Sequence, residues 1–231
     1  MNNLVDRAVK NNIAWCGIVC DSHGIAGISK ENLWGLLSKA PPFYPEIITP
    51  SKNVTIEELV YFIENGKVSS IKDSYANIDL APLGFKILFE AEWISHASLS
   101  NQEPIQTNWR VISTEEDLAQ WATTSELDGV IKPDLLKLKN VKVFILQKND
   151  GIYGFIANLN ANVVGISNVF SVGMENENLW RDIPQVVANQ FPGLPLGGYE
   201  HNDTLEAAHL AGWRSLGPLR VWIKSQEWLN S

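Results

Sequence analysis

The chain reads as an α/β protein with a mixed central sheet and flanking helices, joined to a separate N-terminal α/β domain. Two observations point there. In the second half, three β-rich runs are followed by a helical stretch, a short strand, a second helix and a final strand, a restrictive order. In the first half, well-signed helices alternate with strand-like runs. With 231 residues, 45% of them hydrophobic, the chain can bury one large or two small cores.

Taken in order, residues 1–20 present an apolar face of Leu4, Val5, Ala8, Ile13 and Trp15, and Gly24 and Gly27 end that helix. A second helix is expected over residues 30–39. The segment 40–50, APPFYPEIITP, holds four prolines and cannot be a regular helix. It is expected to be an ordered loop that keeps Phe43, Tyr44, Ile47 and Ile48 out of water. Thr55 and Glu58 spell a capping box, and Val54 with Leu59 a hydrophobic staple, so a helix runs from there to Asn65-Gly66. Strands are expected at 68–75 and 86–94, with a polar linker at 98–107.

Past the linker, residues 109–112 read as a short strand, and Ser113 with Glu116 opens a helix through Trp121. Residues 128–140 are irregular around Pro133. Strands follow at 141–146, 152–158 and 163–171, the first two joined by a hairpin at Asn149-Asp150-Gly151. A helix over 180–190 leads to a strand at 196–200, and a helix over 204–211 to a last strand at 219–224. The boundaries are therefore 1–97, a linker at 98–107, and 108–231. A weak repeat links residues 84–94, GFKILFEAEWI, with 212–223, GWRSLGPLRVWI. Two readings stand: chance likeness, or two copies of one α/β tail with Trp93 and Trp222 in equivalent places, which would make the N-terminal domain a degenerate second copy.

Formal net charge is −8, which excludes binding of nucleic acid through phosphate neutralisation and is not the balance of a membrane-surface protein. No apolar run is long enough to span a bilayer, and the N-terminus lacks the apolar core of a signal peptide, so a cytoplasmic protein is expected. The nine Trp belong mostly in the core, with an apolar cleft or a homodimer face as other uses. Cys16 and Cys20 sit in an apolar run and read as small buried hydrophobes. Their spacing with His23 matches no common zinc module, and no metal is expected.

The element order of residues 108–231 resembles that of the GNAT, or acyl-CoA N-acyltransferase, superfamily. The resemblance implies two parallel strands, 163–171 and 196–200, that splay apart to admit the pantetheine arm of an acyl-CoA. It implies transfer of an acyl group from acetyl-CoA or another acyl-CoA to a small-molecule amine. The alternative is a non-catalytic relative binding a small ligand or a protein in the same cleft. Around the opening, Asn168, Val169, Phe170 and Ser171 would meet the thioester, with a backbone N–H polarising its carbonyl.

The family's phosphate loop, Q/R-x-x-G-x-G/A, corresponds to SVGMENENLWRDIP. It keeps Gly173 and has Arg181 as its nearby cation, the two positions that would face a diphosphate. Asp182, before Ile183-Pro184, reads as a helix cap. The family's later pattern, N-x-x-A-x-x-x-Y-x-x-x-G-F, falls on His201, Thr204, Ala208 and Gly212-Trp213, so the usual phenol is replaced by Ala208. The catalytic candidates that remain are Tyr199, Glu200 and His201. Glu200 or His201 would take the proton of the attacking amine through water. Asp203 is expected to cap the helix, His209 to be half-buried in it, and Arg220 to pair with Glu200 or another acid. No serine-hydrolase elbow, P-loop, zincin or Rossmann fingerprint is present.

Overall fold

Among the residues that the computed structural model describes (3–30, 32–99, 108–148, 151–173 and 178–225), eleven strands join in one sheet. α1 (Leu4–Ser22) buries Val5, Ala8, Val9, Trp15 and Val19, and Gly24 follows it at φ +71°, a conformation that glycine takes without strain. The expected helix over 30–39 is instead a hairpin of β1 (Ile28–Lys30) and β2 (Leu33–Gly35), which continues antiparallel to β3 (Ile47–Ile48). Packing decides this: the Phe62 ring lies so close over Gly35 that a Cβ there would collide with it. The proline-rich loop is ordered as expected through Tyr44, Ile47 and Ile48, which are buried, but Phe43 is 78% exposed.

α2 (Ile56–Asn65) carries the full Thr55–Glu58 capping box. It packs Leu59 and Phe62 on Ile47, Ile71 and Trp222. β4 (Ser70–Asp73) runs parallel to β3, and β5 (Phe85–His96) follows a 3-10 turn at Ala81–Leu83. β6 (Arg110–Val111) and α3 (Glu115–Thr124) come next. Thr114, not Ser113, caps α3, because its hydroxyl accepts from the Asp117 N–H at 3.1 Å. A 3-10 turn at Pro133–Lys137 occupies the irregular stretch.

The meander is β7 (Val141–Lys148), β8 (Gly151–Asn160) and β9 (Val163–Gly173), paired antiparallel throughout. The hairpin residues Asn149 and Asp150 lie outside the described set, as do 100–107 of the linker. α4 (Leu179–Ala188) then crosses to β10 (Leu196–Glu200), parallel to β9, and α5 (Asn202–Leu210) leads to β11 (Arg214–Lys224). Pro184 lies inside α4, so the Trp180 carbonyl has no i+4 donor; the buried Trp213 indole supplies one at 3.1 Å.

The sheet order is β1-β2-β3-β4-β11-β5-β10-β9-β8-β7-β6, so the last strand of the 108–231 segment lies between two strands of 1–97. β5 and β11 pair along ten positions, interrupted by bulges at Leu88 and Leu216, which are as far apart in sequence as Gly84 and Gly212. Trp93 and Trp222 are not equivalent. Trp93 packs with Ala91, Leu219 and Val221 against α1, whereas Trp222 faces α2. The one-residue offset between them in the sequence pattern puts them on opposite faces of the sheet.

α1 is tied down by Asn11, whose buried Nδ2 donates to the carbonyls of Asn158 at 2.9 Å and Val163 at 3.0 Å. Gly165 passes so close beneath Asn11 that no side chain would fit. On the other face, α4 and α5 set Ile183, Val187, Ala208 and Trp213 over Ile94, Val164 and Leu196. No helix among the described residues is long and apolar enough to cross a membrane.

Candidate active site

β9 and β10 pair only at Val164–Leu196 and Gly165–Gly197, then part. A bulge starts the separation. β8 and β9 are in register at Ile156–Ser167 and again at Gly154–Phe170, so β9 carries one extra residue across Asn168 and Val169. Asn168 is left-handed, φ +53°, a conformation Asn tolerates through its short polar side chain. On its other edge, facing the opening, β9 has no ladder partner in β10 beyond Gly165.

That opening is a cavity of about 250 Å³ bordered by Asn168, Val169, Tyr199, Glu200 and His201 together. Five of the residues expected at the site thus converge. The others point elsewhere. The Phe170 ring packs edge-on against Trp121, 5.2 Å between centroids. Ser171 pairs with Tyr153 at the exposed end of β9. Gly173, at φ +94°, ends β9, and Arg181 is exposed on α4, bonded to Asn178 at 3.5 Å. Of the loop between them, residues 174–177 lie outside the described set.

Several expectations about the neighbouring helices are corrected. Asp182 does not cap α4, which starts after Asn178; it sits in the first turn and accepts from the Trp109 indole at 3.2 Å. Asp203 does not cap α5, which starts after His201. His209 is exposed rather than half-buried. The expectation that Arg220 pairs with Glu200 or another acid holds, the acid being Glu90, at 2.8 Å across β5–β11. Ala208, at the family's tyrosine position, is fully buried between α5 and the sheet.

Glu200 stands at the end of β10, half-buried. Burial pushes its carboxyl up to about 7, only partly offset by the Thr204 hydroxyl that donates to it at 2.9 Å. It is therefore poised to take and give a proton near neutrality. His201 stacks on Phe89, 4.9 Å between centroids.

The far wall comes from 1–97, and reading the sequence as two separate domains missed it. Asn12 and Trp15 of α1, Tyr44 of the proline-rich loop and Lys72 of β4 all border the same cavity. The Tyr44 hydroxyl faces the Asn168 amide oxygen at 3.5 Å, and burial holds its phenol well above the ordinary value, so it stays protonated. Lys72 is 3% exposed, and its ammonium donates to Asn12 Oδ1 at 2.9 Å and to the Tyr199 hydroxyl at 3.1 Å. Burial works against its charge, but the Tyr199 oxygen beside it offsets that and its pKa lies above the usual lysine value. The one sequence signal was a lysine inside the strand-like run SIKD, at a position that alternation turns to the same face as Ser70.

Cys16 and Cys20 are both buried, and burial raises both thiols, Cys20 to about 12, so neither is a reactive thiolate. Among the described residues no three His, Cys, Asp or Glu side chains are placed to hold a metal ion.

A second cavity, about 710 Å³, continues from the first across the sheet. Phe43, Tyr44, Lys72, Phe89 and Tyr199 border both. The second is largely apolar, floored by Leu88, Val221 and Ile223 and walled by Pro41 and Pro42. One buried carboxylate, Glu46, holds that wall in place. It accepts from the N–H groups of Ala40, Ser69 and Ser70, at 3.1, 3.1 and 2.7 Å.

No family model matches the chain, and no curated protein is similar to it in sequence. Solved structures are similar in fold. A candidate acetyltransferase of the GNAT family from Novosphingobium aromaticivorans matches over 97% of this chain and 100% of its own, with TM-score 0.57 and 12% identity. A conserved protein of unknown function from Staphylococcus epidermidis matches over 87% and 94%, with TM-score 0.56 and 12% identity. The likeness thus takes in residues 1–97 as well as the half in which element order had pointed to it. Strand order, the parting of β9 from β10 and this whole-length likeness agree: the chain has a GNAT-like fold, in a divergent form.

Proposed function

We propose that the protein transfers an acyl group from an acyl-CoA, acetyl-CoA or a longer homologue, to a small-molecule amine. The observation that carries this reading is a carboxyl with pKa near 7 on the rim of the gap between β9 and β10. In this reading the thioester lies along Asn168–Val169, where the bulge offers N–H groups to the oxygen on which charge develops. The amine nitrogen attacks the thioester carbon, and Glu200 takes the amine proton through water. The C–S bond then breaks. The Tyr199 hydroxyl accepts from Lys72 and keeps its own proton to give to the leaving thiolate. Return of the Glu200 proton to Tyr199 closes the cycle, leaving an amide and free CoA. The diphosphate would meet Gly173 and Arg181, and His201 would border the acceptor.

A second reading is a non-catalytic protein that binds a ligand in the same cleft. Ala208, buried where the family places its phenol, favours it. Calorimetric titration with acetyl-CoA and a thiol-release assay over a panel of amines separate the two. Acyl-transfer predicts saturable heat, weakened by Arg181→Glu, and thiol release lost in Glu200→Gln. No heat at millimolar acetyl-CoA refutes it.

A further inference from the structure

Lys72 is buried without an acid beside it. Burying an ammonium costs heavily unless a counter-charge or a full set of acceptors answers it. Two acceptors are present, Asn12 Oδ1 and the Tyr199 oxygen, the Tyr199 ring centroid lies 4.4 Å from the ammonium, and no ion pair among the described residues involves Lys72. An ammonium has three protons to donate. The third belongs to a group that borders both the polar and the apolar cavity. A second polar group on the polar cavity is also orphaned: the buried Ser167 hydroxyl has no partner. The charged side chain stands on a strand inside the sheet, at the junction of a polar and an apolar chamber. This is the layout of a site for an anion attached to an apolar body.

We propose that Lys72 binds the carboxylate of the acceptor, and that the acceptor is an α-amino acid with a large apolar side chain. The carboxylate completes the Lys72 donor set and takes the Ser167 hydroxyl as a further donor. The side chain enters the apolar cavity over Leu88, Val221 and Ile223. The amine, one carbon from the carboxylate, is left in the polar cavity that Glu200 also borders. This assignment rests on the acyl-transfer reading for what happens to the amine, but not for the binding of the amino acid.

The test is calorimetric titration of the intact protein, without acyl-CoA, with L-phenylalanine and with L-phenylalaninamide. The pair differ only in the carboxylate. A charge-assisted hydrogen bond in a buried site makes the acid bind about tenfold tighter or more. Lys72→Met, close in length and volume, should weaken the acid far more than the amide, bringing the two affinities together. Retained amide binding certifies the fold of the variant. Val221→Trp, which fills the apolar cavity, should weaken both ligands together. Equal affinity of acid and amide for the wild-type protein overturns the proposal, whatever the variants do. So does the absence of heat with phenylalanine at millimolar concentration, or an acid preference that survives Lys72→Met. If phenylalanine binds with these preferences while acetyl-CoA gives no heat, the acyl-transfer reading fails and the amino-acid site stands. If acetyl-CoA binds and the acid preference is missing, the amino-acid site alone fails.

Discussion

Replacing Glu200 by Gln keeps the shape of the side chain and removes its titration, so one variant reports on both stability and chemistry. In the folded protein the carboxyl titrates at about 7, against an ordinary value of 4.5. An acid whose pKa rises on folding holds its proton more tightly in the native state. Native stability therefore falls as pH climbs from about 4.5 to about 7 and is flat above that. The full shift corresponds to a ceiling of about 3 kcal/mol above neutrality. Because the group is only half-buried, solvent screening brings this to about 1–2 kcal/mol. The Gln variant escapes that cost, so at pH 8 its Tm should exceed that of wild type by about 2–6 °C, with little difference at pH 5. Scanning calorimetry at the two pH values measures it. If the protein is an acyltransferase, turnover of wild type should also rise by nearly tenfold, ~10-fold at most, between pH 6 and 8 as the base ionises, and the variant should lose that limb. An equal Tm at pH 8, or a larger gain at pH 5 than at pH 8, refutes the assignment of a raised pKa to this carboxyl.

Two further outcomes concern what holds the site's walls together. Asn11→Ala should cost about 2–4 kcal/mol in urea unfolding, because it strips the donor shared by the Asn158 and Val163 carbonyls and loosens α1 from the sheet. Trp213→Phe should cost about 1–3 kcal/mol by leaving the Trp180 carbonyl unpaired, and in Pro184→Ala, which restores an N–H one turn on, the same change should cost less.

Much of the fold was legible in local chemistry. The Thr55–Glu58 box, the β7–β8–β9 meander and the β10 span all come from patterns a few residues long, and each forms where those patterns lie. Local signals failed where a neighbour distant in sequence sets the conformation. β1 and β2 are strands because β3 offers an edge and Phe62 closes on Gly35. At α4 a distant partner likewise takes the expected cap, since Asp182 is engaged by Trp109 and the helix starts after Asn178.

The candidate site divides along the same line. Its β9–β10 side was readable through the family resemblance, which implies a parallel pair that splays at its carboxyl ends, and Asn168, Val169, Tyr199, Glu200 and His201 meet there. The sequence alone also determined that the usual phenol is absent, because position 208 is Ala. Only the tertiary structure could supply the opposite side. It threads β11 between β4 and β5, which lays residues 1–97 against the opening and carries Asn12, Trp15, Tyr44 and Lys72 into it. Strand pairing across more than a hundred residues leaves no local trace, since hydrogen bonds of the backbone are indifferent to side-chain identity. The raised pKa of Glu200 and the burial of the Lys72 ammonium with only neutral partners are consequences of how the elements assemble, and burial belongs to the assembled fold rather than to either residue.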